Sequence, residues 1–200
     1  MPNTSATGGV LLPLGAPPAD DDALDALLQA AIASITGLDG TLVRPRWQPS
    51  VPKQPEAAVN WCAIGVMFSQ PDNDAWIALD PANPLQSLYY RHEAFECLAS
   101  FYGPQSKQYA ATLRDGLEID QNRETLAANA IAYVGVGVLR SIPELVNQQW
   151  IKRTDLTIDF RRKVTRTYQV LSLLYGSVVL TTDSGISATI VIPPGSVLQP

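Results

Sequence analysis

The chain has 200 residues, of which 46% are hydrophobic and 16% charged, and its formal net charge at pH 7 is −5. This length is enough for one domain with a substantial core, whereas the acidic balance argues against a free nucleic-acid-binding protein, which would carry a basic domain. The charged fraction lies well below the roughly 25% of an ordinary soluble domain, which is typical of a chain that hides part of its surface against partners.

Residues 1–21 are rich in Gly, Pro and Ala and predict a flexible N-terminal arm. We expect no signal peptide in the arm, because its apolar piece from Val10 to Leu14 is short. No stretch of the sequence approaches the roughly 18 apolar residues of a membrane span. Cys62 and Cys97 lie in apolar, strand-like segments and are interpreted as buried thiols in a reducing compartment. We therefore expect a soluble protein made in the cytoplasm, without a membrane partner.

The run Asp20-Asp21-Asp22 predicts the start of a helix, because carboxylates complement the free N–H groups and the dipole at a helix N-terminus. Apolar residues follow at helical spacing until Gly37, which predicts the C-terminal cap. A metal site at the three aspartates is the weaker alternative, since no downstream ligand pattern completes one.

The rest of the chain alternates between strand-like and helix-like segments. Pro45 places a short strand at residues 42–47 on the edge of a sheet, because proline removes a ladder hydrogen bond. The stretch "SQPDNDAWIALDPANP", residues 69–84, is expected to be a polar loop. The other predicted elements are strands at Val59–Phe68 and Leu85–Gly103, helices at 104–118 and Glu124–Ala130, and strands at 131–140, 155–171, 176–182 and near the C-terminus.

Together these elements predict an α+β fold, in which helices pack on one face of a largely antiparallel β-sheet. Residues 22–182 are expected to form its single domain, and residues 183–200 a C-terminal strand and Pro-rich tail. The strands at 155–171 and 176–182 are expected to pair as a long β-hairpin that projects near the C-terminus.

The residue types that carry catalysis do not occur in a productive pattern. His92 is the single histidine and stands five residues before Cys97, so on one strand the two side chains point to opposite faces. A packed, hydrogen-bonded His92 is therefore favoured over a catalytic one. Gly135 and Gly137 lack the third glycine of a dinucleotide-binding fingerprint, and the Asp72–Asp74 segment lacks the ligands of a calcium loop. We expect no enzyme activity, no catalytic residue, no cofactor and no bound metal.

The strand at 155–171 begins with alternating apolar residues and then turns cationic. The alternation continues to Phe160, and Arg161-Arg162-Lys163 then places charges on both faces. One interpretation is a solvated strand end whose charges prevent edge-to-edge aggregation. The other is contact with an acidic partner, either a neighbouring copy or DNA phosphates, and the net acidity favours the neighbouring copy.

Two segments are the most characteristic of the chain, "SFYGPQSKQYAATLRDGL" and "SIPELVNQQWIKRTDLTIDF". In the second, a turn with Pro and Leu leads through a polar link and a basic–acidic pair into an alternating strand. With the order of the elements around them, over residues 22–182, they resemble bacteriophage neck or tail-terminator (tail-completion) proteins. The N-terminal arm and the residues after Asp183 lie outside the resemblance.

The resemblance implies a structural virion protein of the neck, assembled in the host cytoplasm, that forms a homo-oligomeric and usually hexameric ring. Such a ring caps the tail tube, docks to the head-completion or connector protein and surrounds the channel through which genome DNA passes without sequence-specific binding. The resemblance also implies inter-subunit or inter-ring contacts by the hairpin from Trp150 to Leu180, since Trp and Arg often anchor interfaces. The candidate interface residues are Trp150, Lys152, Arg153, Arg161, Arg162, Lys163 and Arg166. Two alternatives stay open: another ring-forming head-completion or tail-tube-related phage protein, and an unrelated soluble α+β domain such as a small enzyme.

Overall fold

The computed structural model describes residues 3–4, 6–50, 52–146, 148–170, 176–181, 183, 185 and 187–192. Three α-helices and eleven β-strands lie in these residues. The helices are α1 (Asp22–Thr36), α2 (Ser106–Gly116) and α3 (Glu124–Ala128). The strands are β1 (Val43–Pro45), β2 (Trp61–Pro71), β3 (Trp76–Asp80), β4 (Asn83–Tyr102), β5 (Ile131–Val136), β6 (Arg140–Ser141), β7 (Glu144–Val146), β8 (Gln149–Ile151), β9 (Arg153–Tyr168), β10 (Gly176–Thr181) and β11 (Ser187–Ile192).

Helix α1 begins and ends where the sequence predicted. Gly37 adopts a left-handed conformation after the last turn, and its N–H donates to the carbonyl of Ala33 at 2.9 Å. The start differs in detail, because the side chain of Asp21 at the N-cap position makes no capping hydrogen bond. The Asp21 carboxylate therefore acts on the helix through its charge and not through a capping hydrogen bond. In the described part of the chain, no helix is both long and apolar enough to cross a membrane.

The main sheet has the strand order β1-β2-β4-β9-β5, with β3 added beside β4 and β6 beside β9. Strand β1 is parallel to β2, whereas the β2–β4, β3–β4, β5–β9 and β6–β9 pairs are antiparallel. This arrangement confirms the predicted α+β class with a largely antiparallel sheet. The position of β1 at the edge, ending at Pro45, confirms the interpretation of that proline.

The chain forms two compact units. The larger unit contains Pro17–Ala75 and Arg91–Val164, and the smaller unit contains Met1–Ala16, Trp76–Tyr90 and Thr165–Pro200. Strands β4 and β9 are long enough to contribute residues to both units. The division into an arm at 1–21, a domain at 22–182 and a tail at 183–200 stays a prediction.

The core of the larger unit lies between the helices and one face of the sheet. Its buried members include Leu28, Ile32, Leu113 and Leu126 from the helices and Ile64, Phe101, Leu156, Ile158 and Phe160 from the strands. Because consecutive strand residues point to opposite faces, Ala63 lies on the other face from Ile64, where it belongs to a small cluster with Tyr102 and Ile151. The helices therefore cover one face of the sheet, as predicted.

The strands near the C-terminus pair differently from the predicted hairpin. Strand β9 covers most of the segment expected as its first strand, but its hydrogen-bonded neighbours are β4 on one side and β5 with β6 on the other. Strand β10 pairs instead with β11, as a two-stranded antiparallel sheet. A strand has two hydrogen-bonding edges, so β9 has no free edge for β10 along the length that lies within the main sheet. The β-hairpin near the C-terminus is therefore β10–β11.

His92 and Cys97 lie on opposite faces of β4, as their odd spacing predicted. Cys97 is fully buried in the core, whereas His92 is exposed. The expectation that His92 is packed was wrong, because its face of the strand is not covered there.

Cys62 and Cys97 are free and buried, which confirms their interpretation as core thiols. Burial raises the pKa of Cys97 to about 12 and the pKa of Cys62 well above its ordinary value. Because the thiolate is the reactive form, we expect neither thiol to react with iodoacetamide at pH 8 in the native protein and both to react in urea. Mass spectrometry counts the adducts, and rapid labelling of the native chain would contradict this placement.

Candidate functional site

The β7–β8 hairpin presents an apolar pair to solvent. Leu145 lies directly opposite Trp150 in the antiparallel register, and both side chains are exposed. Val146 and Ile151 point to the other face and pack in the small cluster on the sheet. Trp150 was predicted as an interface residue, whereas its partner Leu145 was not. The alternation in "ELVNQQWI", with a polar turn in its middle, is the sequence signal for this hairpin.

Arg153, at the start of β9, is occupied by contacts within the larger unit. Its guanidinium donates two hydrogen bonds to the carboxylate of Asp155, at 2.7 and 2.8 Å, and forms an ion pair with Glu144. It also lies over the ring of Tyr102, 5.6 Å from the ring centroid. Hydrogen bonding to Asp155 raises the pKa of Arg153, partly offset by burial, so the side chain stays charged. These contacts hold the β7–β8 hairpin against β9 and β4.

Arg162 lies in the middle of the cationic run and points into the structure. Its guanidinium forms ion pairs with Glu93 on β4 and with Asp20 before α1, and donates to the carbonyl of Ala19. It also lies over the ring of Phe95. These five residues are called the Arg162 cluster. Its contacts join β9, β4 and the segment that enters α1.

The residues on either side of Arg162 point the other way. Arg161 donates to the carboxylate of Asp72 at 2.5 Å, and both side chains are about half exposed. Asp72, which the sequence placed in a polar loop without the ligands of a calcium site, is an ion-pair partner of Arg161. Lys163 is exposed, as alternation along β9 requires.

The seven predicted interface residues thus divide into groups. Trp150, Lys152, Arg161 and Lys163 are exposed on the larger unit. Arg153 and Arg162 are enclosed by partners within that unit, and Arg166 is half-buried in the smaller unit. The six candidates in the larger unit do not form one exposed patch, because Arg153 and Arg162 are enclosed.

The smaller unit contains an apolar hairpin that was not predicted from the sequence. Strand β3 lies inside the stretch expected to be a polar loop, and it pairs with β4 from Trp76↔Tyr90 to Asp80↔Asn83. That expectation was wrong, because the Trp-Ile-Ala-Leu core of the stretch has strong strand propensity despite its polar flanks. Ile77 and Leu79 share one face of β3 and both are exposed. The hairpin is therefore a second apolar surface.

A comparison with known families gives one match over most of the chain. The model of a family described as phage neck terminator protein matches residues 22–186. No curated protein sequence matches the chain significantly. Among solved structures, a chain in "Virion of native gene transfer agent (GTA) particle" is similar, at 20% identity over 72% of this chain and 99% of that chain, with a TM-score of 0.28.

Proposed function

The chain belongs to the phage neck terminator family, and from that premise we propose that it forms a hexameric ring that caps the tail tube and joins it to the head connector. The family assignment confirms the resemblance seen in the sequence and makes the chain a structural protein of the phage neck, and so a virion component. It also confirms the expectation of a protein that is not an enzyme. The match over residues 22–186 is the observation that carries the proposal.

The ring itself is supported by the surface of the protein. Exposed apolar residues such as Leu145 and Trp150 are stabilised when a neighbouring subunit removes them from water. The exposed cation Lys152 suits an acidic neighbour, and a second copy of a chain with net charge −5 supplies one. In this proposal Arg153 and Arg162 maintain the strand that presents these contacts.

The partners follow from the same proposal. One side of the ring docks to the head-completion or connector protein, and the other side caps the tail-tube protein. Genome DNA passes through the lumen without sequence-specific binding, and an acidic ring limits adhesion of the phosphate backbone. The chain would assemble in the host cytoplasm before the virion is complete.

The test of the ring is the mass of the purified chain in solution. We expect light scattering after size exclusion to give a hexamer of the 21.6-kDa chain, and negative-stain images to show rings. If salt dissociates the ring, ion pairs contribute to its contacts. A chain that stays monomeric at every concentration, and that does not cap the ends of purified tail tubes, would refute the proposal.

The variant Trp150→Ala tests the β7–β8 contact. We expect it to weaken assembly at least about tenfold, because a tryptophan is a frequent hot spot, while the stability of the monomer changes by less than about 0.5 kcal/mol. Trp47→Ala is the matched control, since Trp47 and Trp150 are both 70% exposed. Sedimentation velocity over a concentration series measures the association, and equal loss in both variants would count against a specific role of Trp150.

A further inference from the structure

Strand β3 is an edge strand with unusual composition. In the described part of the chain its hydrogen-bonded neighbour is β4, on one edge. Its sequence is Trp-Ile-Ala-Leu-Asp, so four residues pass before a charge appears. Natural edge strands normally carry charges, proline or a bulge that prevents addition of another strand. Residues 76–79 carry neither a charge nor a proline, and the register of β3 against β4 becomes irregular only between Leu79 and Asp80, so this length of the edge is suited to receive another strand.

Side-chain exposure points to the same strand. Ile77 and Leu79 are 61% and 59% exposed on one face, and Trp76 is exposed on the other, where its ring stacks on Tyr90 at 5.1 Å. Apolar side chains exposed on both faces of one short strand are costly to leave in water. Strand β3 is therefore incompletely covered on its faces and on its outer edge.

The β10–β11 hairpin also lacks a third strand among the described strands. Its six residue pairs, from Gly176↔Ile192 to Thr181↔Ser187, form a separate two-stranded sheet. Neither strand contains a charged residue, and both are rich in Val, Leu and Ile. An isolated two-stranded hairpin is marginally stable in water and normally requires a third strand or a packing partner. Among the described strands it has none beyond its own two.

We propose that the β10–β11 hairpin of one copy adds to the outer edge of β3 in a neighbouring copy. The five residues of β3 match the six-residue strands of the hairpin in length, and both sides of the contact are uncharged over most of that length. Main-chain hydrogen bonds then satisfy both edges, and the apolar side chains of β3 are covered. The inference rests on the proposed ring, because a contact between two different surfaces of each copy continues from subunit to subunit and closes by rotation.

Two lysines on β3 test the contact. We expect the double variant Ile77→Lys, Leu79→Lys to weaken assembly at least tenfold, since both side chains would place charge against the added hairpin. The monomer should keep its melting temperature to within a few degrees, because both positions are exposed. Val134→Lys is the control, since Val134 is 63% exposed on β5. Its assembly should match that of the unaltered chain.

Disulfide formation between two chains tests whether the β10–β11 hairpin of a neighbouring copy lies beside the outer edge of β3. One chain would carry Ile77→Cys or Ala78→Cys, and a second chain with a size tag would carry a cysteine at 178, 179, 189 or 190. We expect a mixed cross-linked dimer after mild oxidation in at least one combination, and none when the first chain carries Val134→Cys instead. The native thiols do not interfere, because they are buried. Both strands of the hairpin are sampled, since either can lie beside β3.

The outcomes separate this inference from the proposed function. A ring of unaltered chains with no cross-link in any combination, and with normal assembly of the double lysine variant, would overturn the hairpin contact alone. Cross-links that form only between two chains carrying the same cysteine would do the same. Unaltered chains that assemble neither alone nor on the ends of purified tail tubes would overturn both proposals.

Discussion

Replacing Arg162 by alanine is expected to lower the free energy of unfolding by about 3–5 kcal/mol, the usual cost of removing one partner from a buried ion pair. The Arg162 side chain is only 12% exposed, and its partner Glu93 is covered to a similar degree. Without the guanidinium, the Glu93 carboxylate stays desolvated with no compensating charge. The carbonyl of Ala19 also loses its donor, so the segment that leads into α1 is released from β9.

The neighbouring residue is the control for this prediction. Arg161→Ala breaks the exposed pair with Asp72, and we expect a loss of less than about 1 kcal/mol that decreases further in high salt. Urea unfolding followed by far-UV circular dichroism measures both variants. Equal losses of unfolding free energy for Arg161→Ala and Arg162→Ala would contradict the conclusion that the two side chains lie on opposite faces of β9, one exposed and one enclosed. A double-mutant cycle with Glu93→Gln would assign the share of the effect that belongs to the Arg162–Glu93 pair.

Gly103→Ala is expected to destabilise the protein by about 2–5 kcal/mol, through backbone strain together with overpacking. Gly103 has a φ of +104°, which side chains rarely adopt. An added Cβ would also lie 2.6 Å from the carbonyl oxygen of Val59 and 2.7 Å from Oδ1 of Asn60. Backbone has to move to relieve these contacts, and the turn from β4 into α2 cannot move without disturbing both.

The same substitution should also impair assembly. The N–H of Gly103 donates to the carbonyl of Lys152 at 3.1 Å, so the turn supports the link between β8 and β9 that positions Trp150. Gly135→Ala is the control, because its Cβ would meet no atom within 4 Å and its φ is ordinary. Thermal unfolding and light scattering on the two variants measure the effects. A Gly103→Ala chain as stable as Gly135→Ala would contradict the steric argument.

The cationic run divides its charges between the interior and the surface of the larger unit. Arg162 neutralises two carboxylates inside the larger unit, whereas Arg161 and Lys163 remain at the surface. The two roles occupy consecutive residues because β9 presents opposite faces to the core and to solvent. Substitutions across the run should therefore alternate between small and large losses of stability.

The sequence by itself determined the elements that depend on local patterns. The ends of α1 were predicted from carboxylates at its start and a glycine after its last turn. Alternation of residue types predicted β4 and β9, and apolar neighbours in the sequence predicted the burial of Cys62 and Cys97. Helix and strand periodicity, capping and burial depend on residues that are close in sequence, so a single sequence is enough to predict them. The family resemblance rested on the order of these elements, and the family match over residues 22–186 confirms it.

Only the tertiary structure decided which elements meet. Arg162 finds Glu93 and Asp20 at sequence separations of 69 and 142 residues, and no local pattern identifies either partner. The pairing of β10 with β11 was likewise hidden, because the edges of β9 are occupied by strands distant in sequence. Strand β3 was hidden by its polar flanks, and Leu145 gains its significance only opposite Trp150. Propensity and alternation act over a few residues, whereas strand pairing and burial of charge are settled by competition among all elements of the fold.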